Sequence, residues 1–187
     1  MSQRAAHPHI DAPSPWVVRF APLVANNGRV LDVACGQGRH SVFFAARGCH
    51  VIAVDRAASA LAALGDRARI TPLEADIEGA PWPLPGKRFD AVIVTNYLHR
   101  ALLRHLIAAV ADDGVLLYET FARGNEAYGK PSNPDFLLAP GELLTAVGDR
   151  LTVVAFEQGM VAAARPAVVQ RIAAVGAARA WPAPLPA

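Results

Sequence analysis

Asp32-Val33-Ala34-Cys35-Gly36-Gln37-Gly38-Arg39 is the stretch on which the reading of this chain turns. It grows out of Arg29–Ala34 (RVLDVA), a short β-branched and apolar run. It leads into Gly38–Arg47, where Val42, Phe43, Ala45 and Ala46 precede Gly48, as expected of a helix with glycine just past its end. A strand, a turn of small residues and a helix start place backbone N–H groups at the carboxyl edge of a parallel sheet, where such folds bind ligands. Glycines there let a ligand approach the backbone closely.

The same alternation continues on both sides. Upstream, Ser14-Pro15 reads as an N-cap with proline at the first helical position, and Trp16, Val17, Phe20, Leu23 and Val24 recur at helical spacing until Asn26-Asn27-Gly28. Downstream, His50–Val54 is a second apolar run closed by Asp55, and Ala57–Leu64 is helical in propensity. Arg69–Ala75 is a third strand, interrupted by Pro72 and ending at Asp76; Pro81, Pro83, Pro85 and Gly86 mark a loop. Phe89–Thr95 (FDAVIVT) is the clearest buried strand, followed by a helix over Leu98–Val110 and a turn at Asp112-Asp113-Gly114 into Val115–Phe121. After a polar loop, residues 122–138, a helix opens at Pro140-Gly141-Glu142 and runs through Val147. Leu151–Phe156 and Val168–Val175 close the pattern; residues 158–168 between them lack a helical pattern, which predicts an antiparallel hairpin. The fold class is therefore α/β: seven strands in a mostly parallel sheet, helices on both faces and an antiparallel last strand.

Composition narrows the function. The 187 residues suit one domain, expected over residues 14–176, between a flexible N-terminal segment (1–13) and an Ala/Pro-rich tail (177–187). Hydrophobic types make up 53% and the net charge is +2, with no Lys/Arg cluster, which argues against nucleic-acid or membrane partners. No stretch approaches the roughly 18 apolar residues of a membrane span, and the N-terminus has no apolar signal core. Cys35 and Cys49 frame neither a disulfide scaffold nor a zinc site, so two free thiols, no metal and a cytoplasmic setting are expected.

The turn itself discriminates between ligands. A dinucleotide fingerprint asks for glycine at 36, 38 and 41, but position 41 is serine, and no Gly-Lys-Ser/Thr follows for a phosphate loop. Asp32 just ahead of the turn would repel a pyrophosphate and suit a ligand with a cationic amino group and a sulfonium. Alternatively it caps the loop. Asp55, at the end of the second strand, is placed to accept from ribose hydroxyls or to cap that strand end. Asp76-Ile77 could accept from an adenine amine and pack the base, and Asn96-Tyr97 offers a polar group and an aromatic face after the fourth strand.

Asp32–Gly38, Asp55, Asp76 and Phe89–Tyr97 together resemble the successive motifs of the class I, Rossmann-like S-adenosylmethionine-dependent methyltransferases, over roughly residues 29–175. Gly36-Gln37-Gly38-Arg39-His40-Ser41 is similar to the small branch holding tellurite-resistance and thiopurine-type enzymes. The resemblance implies S-adenosylmethionine as cofactor. It assigns the methionine moiety to the loop with Asp32, Ala34, Cys35, Gly36 and Gly38. The ribose falls to Asp55, the adenine to Asp76 and Ile77, and the methionine end to Asn96, with Arg56 and Tyr97 also among the cofactor-binding residues. Ala34 departs from the family, which commonly has glycine there.

Methyl transfer from a sulfonium draws its reactivity from the cofactor, so the protein must chiefly position an acceptor, with a base only where the acceptor carries a proton. Candidates for that chemistry are Tyr97, His99 and Glu119, the last a carboxylate inside an apolar strand that needs a partner. Residues 122–138 are long enough for an acceptor-side lid. The Asn-Pro-Pro-Tyr run of enzymes acting on nucleic-acid or protein amides is absent after the fourth strand, which reads Asn96-Tyr97-Leu98-His99. A small-molecule acceptor is expected. Two other readings stay open: a catalytically silent S-adenosylmethionine-binding sensor or partner subunit, and a nicotinamide-dependent oxidoreductase, which Asp32 and Ser41 oppose.

Overall fold

The computed structural model describes residues 12–162 and 165–187. Seven strands form one sheet: β1 (Arg29–Val33), β2 (His50–Asp55), β3 (Ile70–Glu74), β4 (Phe89–Thr95), β5 (Val110–Phe121), β6 (Leu151–Val161) and β7 (Ala167–Gly176). Their order across the sheet is 3-2-1-4-5-7-6. Strands 1 to 5 pair in parallel, whereas β7 runs antiparallel to both β5 and β6.

The parallel strands are apolar along their length because both faces are covered. Successive residues point to opposite sides. Leu31, Val33, Val92, Val94, Leu116 and Tyr118 pack beneath α4 (Leu103–Ala108) and α5 (Glu142–Val147). Val30, Ala91, Ile93, Val115 and Leu117 pack under α1 (Pro15–Phe20), α2 (Arg39–Ala46) and the neighbourhood of α3 (Ala58–Ala62). The Ser14 N-cap forms as expected, its hydroxyl accepting from the Trp16 N–H. Pro72 is tolerated because β3 is an edge strand.

Several boundaries differ from the expectations. The Asp112-Asp113-Gly114 turn is a bulge within β5: Phe89 pairs with Val110, and the register then jumps to Ala91 with Val115. Glycine is required there, since a Cβ on Gly114 would stand 2.7 Å from the Phe89 carbonyl. The helix expected over Leu98–Val110 is only α4 after a 3-10 turn at Arg100–Leu102. The hairpin strands are longer than their apolar cores suggest, reaching Val161 and beginning again at Ala167. The reversed strand, β7, lies inside the sheet, and β6 forms the edge. Of the expected flexible N-terminus, residues 1–11 lie outside the described residues, whereas Ala12 accepts from Arg39. The tail from residue 177 is tied back by Arg179, which donates to the Leu23 and Asp113 carbonyls.

Candidate functional site

All four turns that follow β1 to β4 open on the carboxyl edge of the sheet. After β1 the chain turns through Ala34 (φ 51°), Cys35, Gly36 (φ 57°) and Gly38 (φ 76°) into α2. The loop is pinned by the Cys35 N–H donating to Val54 O at 3.0 Å and by the Gly38 N–H donating to Cys35 O at 3.0 Å. Gly38 must be glycine: its φ is left-handed, and a Cβ would run into the Leu64 side chain. Nothing lies within 4 Å of a Cβ built on Gly36, so the loop presents bare backbone to open space.

Two non-glycine residues at this edge, Ala34 and Asn96 (φ 55°), hold left-handed backbone directly after the adjacent strands β1 and β4. Such a conformation costs an L-residue roughly 1–2 kcal/mol. Backbone strain of this kind clusters at functional sites.

The carboxylates are more engaged than their sequence positions reveal. Asp32 is 2% exposed and accepts from the Ser41 hydroxyl at 2.6 Å. Burial pushes its pKa up to about 6 against the opposing pull of Ser41 and of the Arg39 charge. Asp55 accepts the Gly36 N–H at 2.8 Å on one oxygen and the Ala57 N–H at 2.9 Å on the other, tying the glycine loop to the start of α3. Each oxygen keeps a second lone pair on the half-buried side chain. Asp76 accepts from the Glu78 and Gly79 N–H groups, which hold its pKa below the ordinary value. Ile77 is buried beside it, and Arg56 is exposed next to Asp55. Burial raises the Cys35 thiol well above its usual range, which favours its protonated form.

The three residues considered for catalysis do not converge. Tyr97 leans toward Glu78: burial and that carboxylate raise its pKa, so the phenol stays protonated, and its buried hydroxyl makes no well-formed hydrogen bond. The Tyr97 carbonyl accepts from the Tyr118 hydroxyl at 2.9 Å. His99 is half-buried on the same side as Asp76. Glu119 lies on the other side, beneath the N-terminal strap. It accepts from the Ser14 hydroxyl at 2.8 Å, and Arg171 Nε stands 2.5 Å from its other oxygen, in contact but not aligned as a linear hydrogen bond. Arg171 on β7 sits opposite Glu119 on β5 and Glu157 on β6, so the charges alternate across three strands.

This strap brings in residues that sequence reasoning left without a role. The Ser14 N–H donates to His40 Nε2 at 3.1 Å, which places the ring proton on Nδ1, facing Thr95 Oγ1 at 3.5 Å. Burial, reinforced by the Arg39 charge, drives the His40 pKa down to about 3; the imidazole is a neutral acceptor. Arg39 donates to the Ala12 carbonyl at 3.2 Å and to Thr95 Oγ1 at 3.4 Å. No local pattern announces these contacts, because they join positions 26 to 105 residues apart. Opposite, the 122–138 loop is closed by Asn125, whose amide donates to the Pro131 carbonyl, and by Arg100, which donates to the Asp135 and Leu137 carbonyls and pairs with Glu142. Among the described residues no group of His, Cys, Asp and Glu could hold a metal ion, and no helix is long and apolar enough to cross a membrane.

Residues 30–114 match a family described as a methyltransferase domain. An uncharacterized protein of Schizosaccharomyces pombe is 27% identical over 82% of this chain and 60% of its own length. Among solved structures, TehB from Haemophilus influenzae superposes with a TM-score of 0.72 at 19% identity, over 86% of this chain and 61% of that one. A SAM-dependent methyltransferase of Methanosarcina mazei superposes with a TM-score of 0.66 at 13% identity, over 88% and 98% of the two chains. The chain thus spans about three fifths of the length of the yeast and Haemophilus proteins. The seven-stranded fold and its strand order are those of these solved methyltransferase structures, and residues 30–114 are similar to the methyltransferase-domain family.

Proposed function

We propose that the protein transfers a methyl group from S-adenosylmethionine to a small-molecule acceptor in the cytoplasm, without nucleic-acid or membrane partners. The observation that carries this reading is the paired left-handed backbone of Ala34 and Asn96 beside the bare Gly36 surface. Both residues stand at the carboxyl ends of β1 and β4, where the strand order reverses and such sheets open to ligands. The residues around them fit the cofactor's chemistry. The Ala34–Gly38 loop would take the methionine moiety, with Asp32 behind it as the counter-charge to the amino group. Asp55, with lone pairs to spare, would take the ribose hydroxyls beside Arg56; Asp76 and Ile77 would take the adenine with Tyr97 near them; Asn96 would close the methionine end.

When bound, the cofactor supplies an electrophilic methyl group, and the protein's task is alignment and exclusion of water. Tyr97, held protonated, can donate but cannot act as a base. His99 is the candidate for moving a proton on the adenine side, while Glu119, hydrogen-bonded to Ser14 and ion-paired with Arg171, positions the strap. The small net charge of +2 favours a small acceptor over a polyanion. The strand order also argues against a nicotinamide enzyme, whose common order 3-2-1-4-5-6 lacks a reversed strand.

Calorimetry with S-adenosylmethionine, its demethylated product and NAD tests the cofactor assignment; binding of NAD alone would end it. Release of the demethylated product in the presence of small thiols, carboxylates and oxyanions tests turnover. Tight cofactor binding with no release across that panel would favour the sensor reading.

A further inference from the structure

The return limb of the 122–138 loop hangs on Arg100, which opens the 3-10 turn after β4, a little beyond Tyr97. Its guanidinium donates to Glu142 Oε1 at 2.7 Å and Oε2 at 3.0 Å, to the Asp135 carbonyl at 2.7 Å and to the Leu137 carbonyl at 2.8 Å. Pairing with both oxygens of a carboxylate fixes direction as well as charge. Glu142 also accepts the Ala139 N–H at 2.7 Å. One side chain thus joins the turn after β4, the end of the loop and the start of α5. The two carbonyls flank Phe136, whose ring is 50% exposed and walls a cavity of about 270 Å³ with Lys130, Pro131, Ser132 and Asn133.

The other end of the same turn holds residues assigned above to the cofactor. Asn96 keeps left-handed backbone, and its N–H donates to the Glu119 carbonyl at 2.9 Å. The Tyr97 carbonyl is held by the Tyr118 hydroxyl, while the buried Tyr97 hydroxyl makes no well-formed hydrogen bond. A ligand against Asn96 and Tyr97 therefore acts on a short, tethered segment that ends in the Arg100 guanidinium. The Arg100 side chain is 40% exposed, and an ion pair so exposed is weak in isolation. The clasp can open and close, and a small bias in the turn shifts it.

We propose that Arg100 is a positioning residue that couples the two halves of the site: cofactor bound against Asn96 and Tyr97 closes the clasp, which sets the Phe136 wall of the loop cavity for the acceptor. This rests on the methyltransferase reading and adds to it an order of assembly, cofactor before acceptor. Coupling between sites is reciprocal, so a closed clasp also tightens the hold on the cofactor.

The test digests the full chain with chymotrypsin and follows cleavage after Tyr128 and Phe136, with and without saturating demethylated cofactor. Cleavage is kept slow against loop reclosing, so that its rate reports the open population. Cofactor should slow wild-type cleavage about fivefold or more, and in Arg100→Gln that slowing should vanish. Calorimetry should show Arg100→Gln still binding the demethylated cofactor, weakened by no more than the factor lost in protection. Arg100→Lys keeps the charge without the fork and should recover part of the slowing. Glu142→Gln, which leaves Arg100 its two carbonyls, should slow less than the wild type and replaces Arg100→Gln if circular dichroism shows that variant unfolded. Undiminished slowing in the folded variant, or a wild type that binds cofactor with no slowing, overturns the coupling and leaves the methyltransferase reading intact. Failure of the wild type to bind the demethylated cofactor overturns both.

Discussion

Replacing Asp32 by asparagine removes a buried negative charge while keeping an oxygen for the Ser41 hydroxyl to donate to. In the folded protein the Asp32 carboxyl has its pKa raised to about 6 by burial, against 3.8 when solvated. An acid that holds its proton more tightly when folded is most favourable to folding below 3.8, and that benefit is lost as pH rises through 6. The ionised side chain then penalises the folded state. Two pKa values about two units apart give a penalty of about 0.5 kcal/mol at pH 4, about 1.5 kcal/mol at pH 5 and about 3 kcal/mol at pH 7.5. Asp32→Asn escapes this penalty, so its stability advantage should widen by about 2 kcal/mol between pH 4 and pH 7.5. Urea titrations followed by circular dichroism at both pH values measure the gap. Calorimetry with S-adenosylmethionine should show the opposite cost, an affinity loss of about tenfold or more. Wild-type affinity should itself fall about tenfold from pH 7.5 to pH 5 as Asp32 takes up its proton. A stability gap that does not change with pH, or an asparagine variant less stable at pH 7.5, would refute the buried-charge argument.

Three further substitutions probe the same edge. Ala34→Gly should raise stability by about 0.5–1 kcal/mol, because relief of left-handed strain exceeds the added freedom of the unfolded chain; thermal melting decides, and a fall would mean that φ 51° carries no strain. Asp55→Ala should weaken S-adenosylmethionine binding more than tenfold and cost about 1 kcal/mol of stability, since the Gly36 and Ala57 N–H groups lose their acceptor; unchanged calorimetric affinity in a folded variant would remove the ribose assignment. Glu119→Gln should destabilise by about 1–2 kcal/mol, leaving Arg171 with Glu157 alone, and spare cofactor affinity. A loss of turnover without loss of stability would instead place Glu119 in the chemistry.

The parts of the molecule governed by local rules were legible before any coordinates. Phe89–Thr95 reads as a buried strand because both of its faces are covered, and the turn at Ala34–Gly38 announces itself through residue size. The N-cap at Ser14 follows from the serine–proline pair. The outer half of β6 did not: an edge strand that buries little carries no apolar signature, so its length is set by pairing with β7. The turn expected at Asp112–Gly114 failed because tertiary pairing with Phe89 drew those residues into β5. Within the site, the carboxylates stood at the expected strand ends, but their bonds to Ser41, Gly36 and Gly79 depend on loop closure. The strap contacts of Ser14, Arg39 and His40 arise only when the first helix docks over the sheet.

The insertion of β7 between β5 and β6 has a consequence for biosynthesis. Until residues 167–176 have left the ribosome, the outer margin of β5 has no hydrogen-bonding neighbour, although β1 to β4 can already be in place. An unpaired margin of this kind is a template for association between chains. Nascent or truncated forms ending before Ala167 should therefore be the aggregating species and depend most on chaperones, because β7 is the strand that covers that margin.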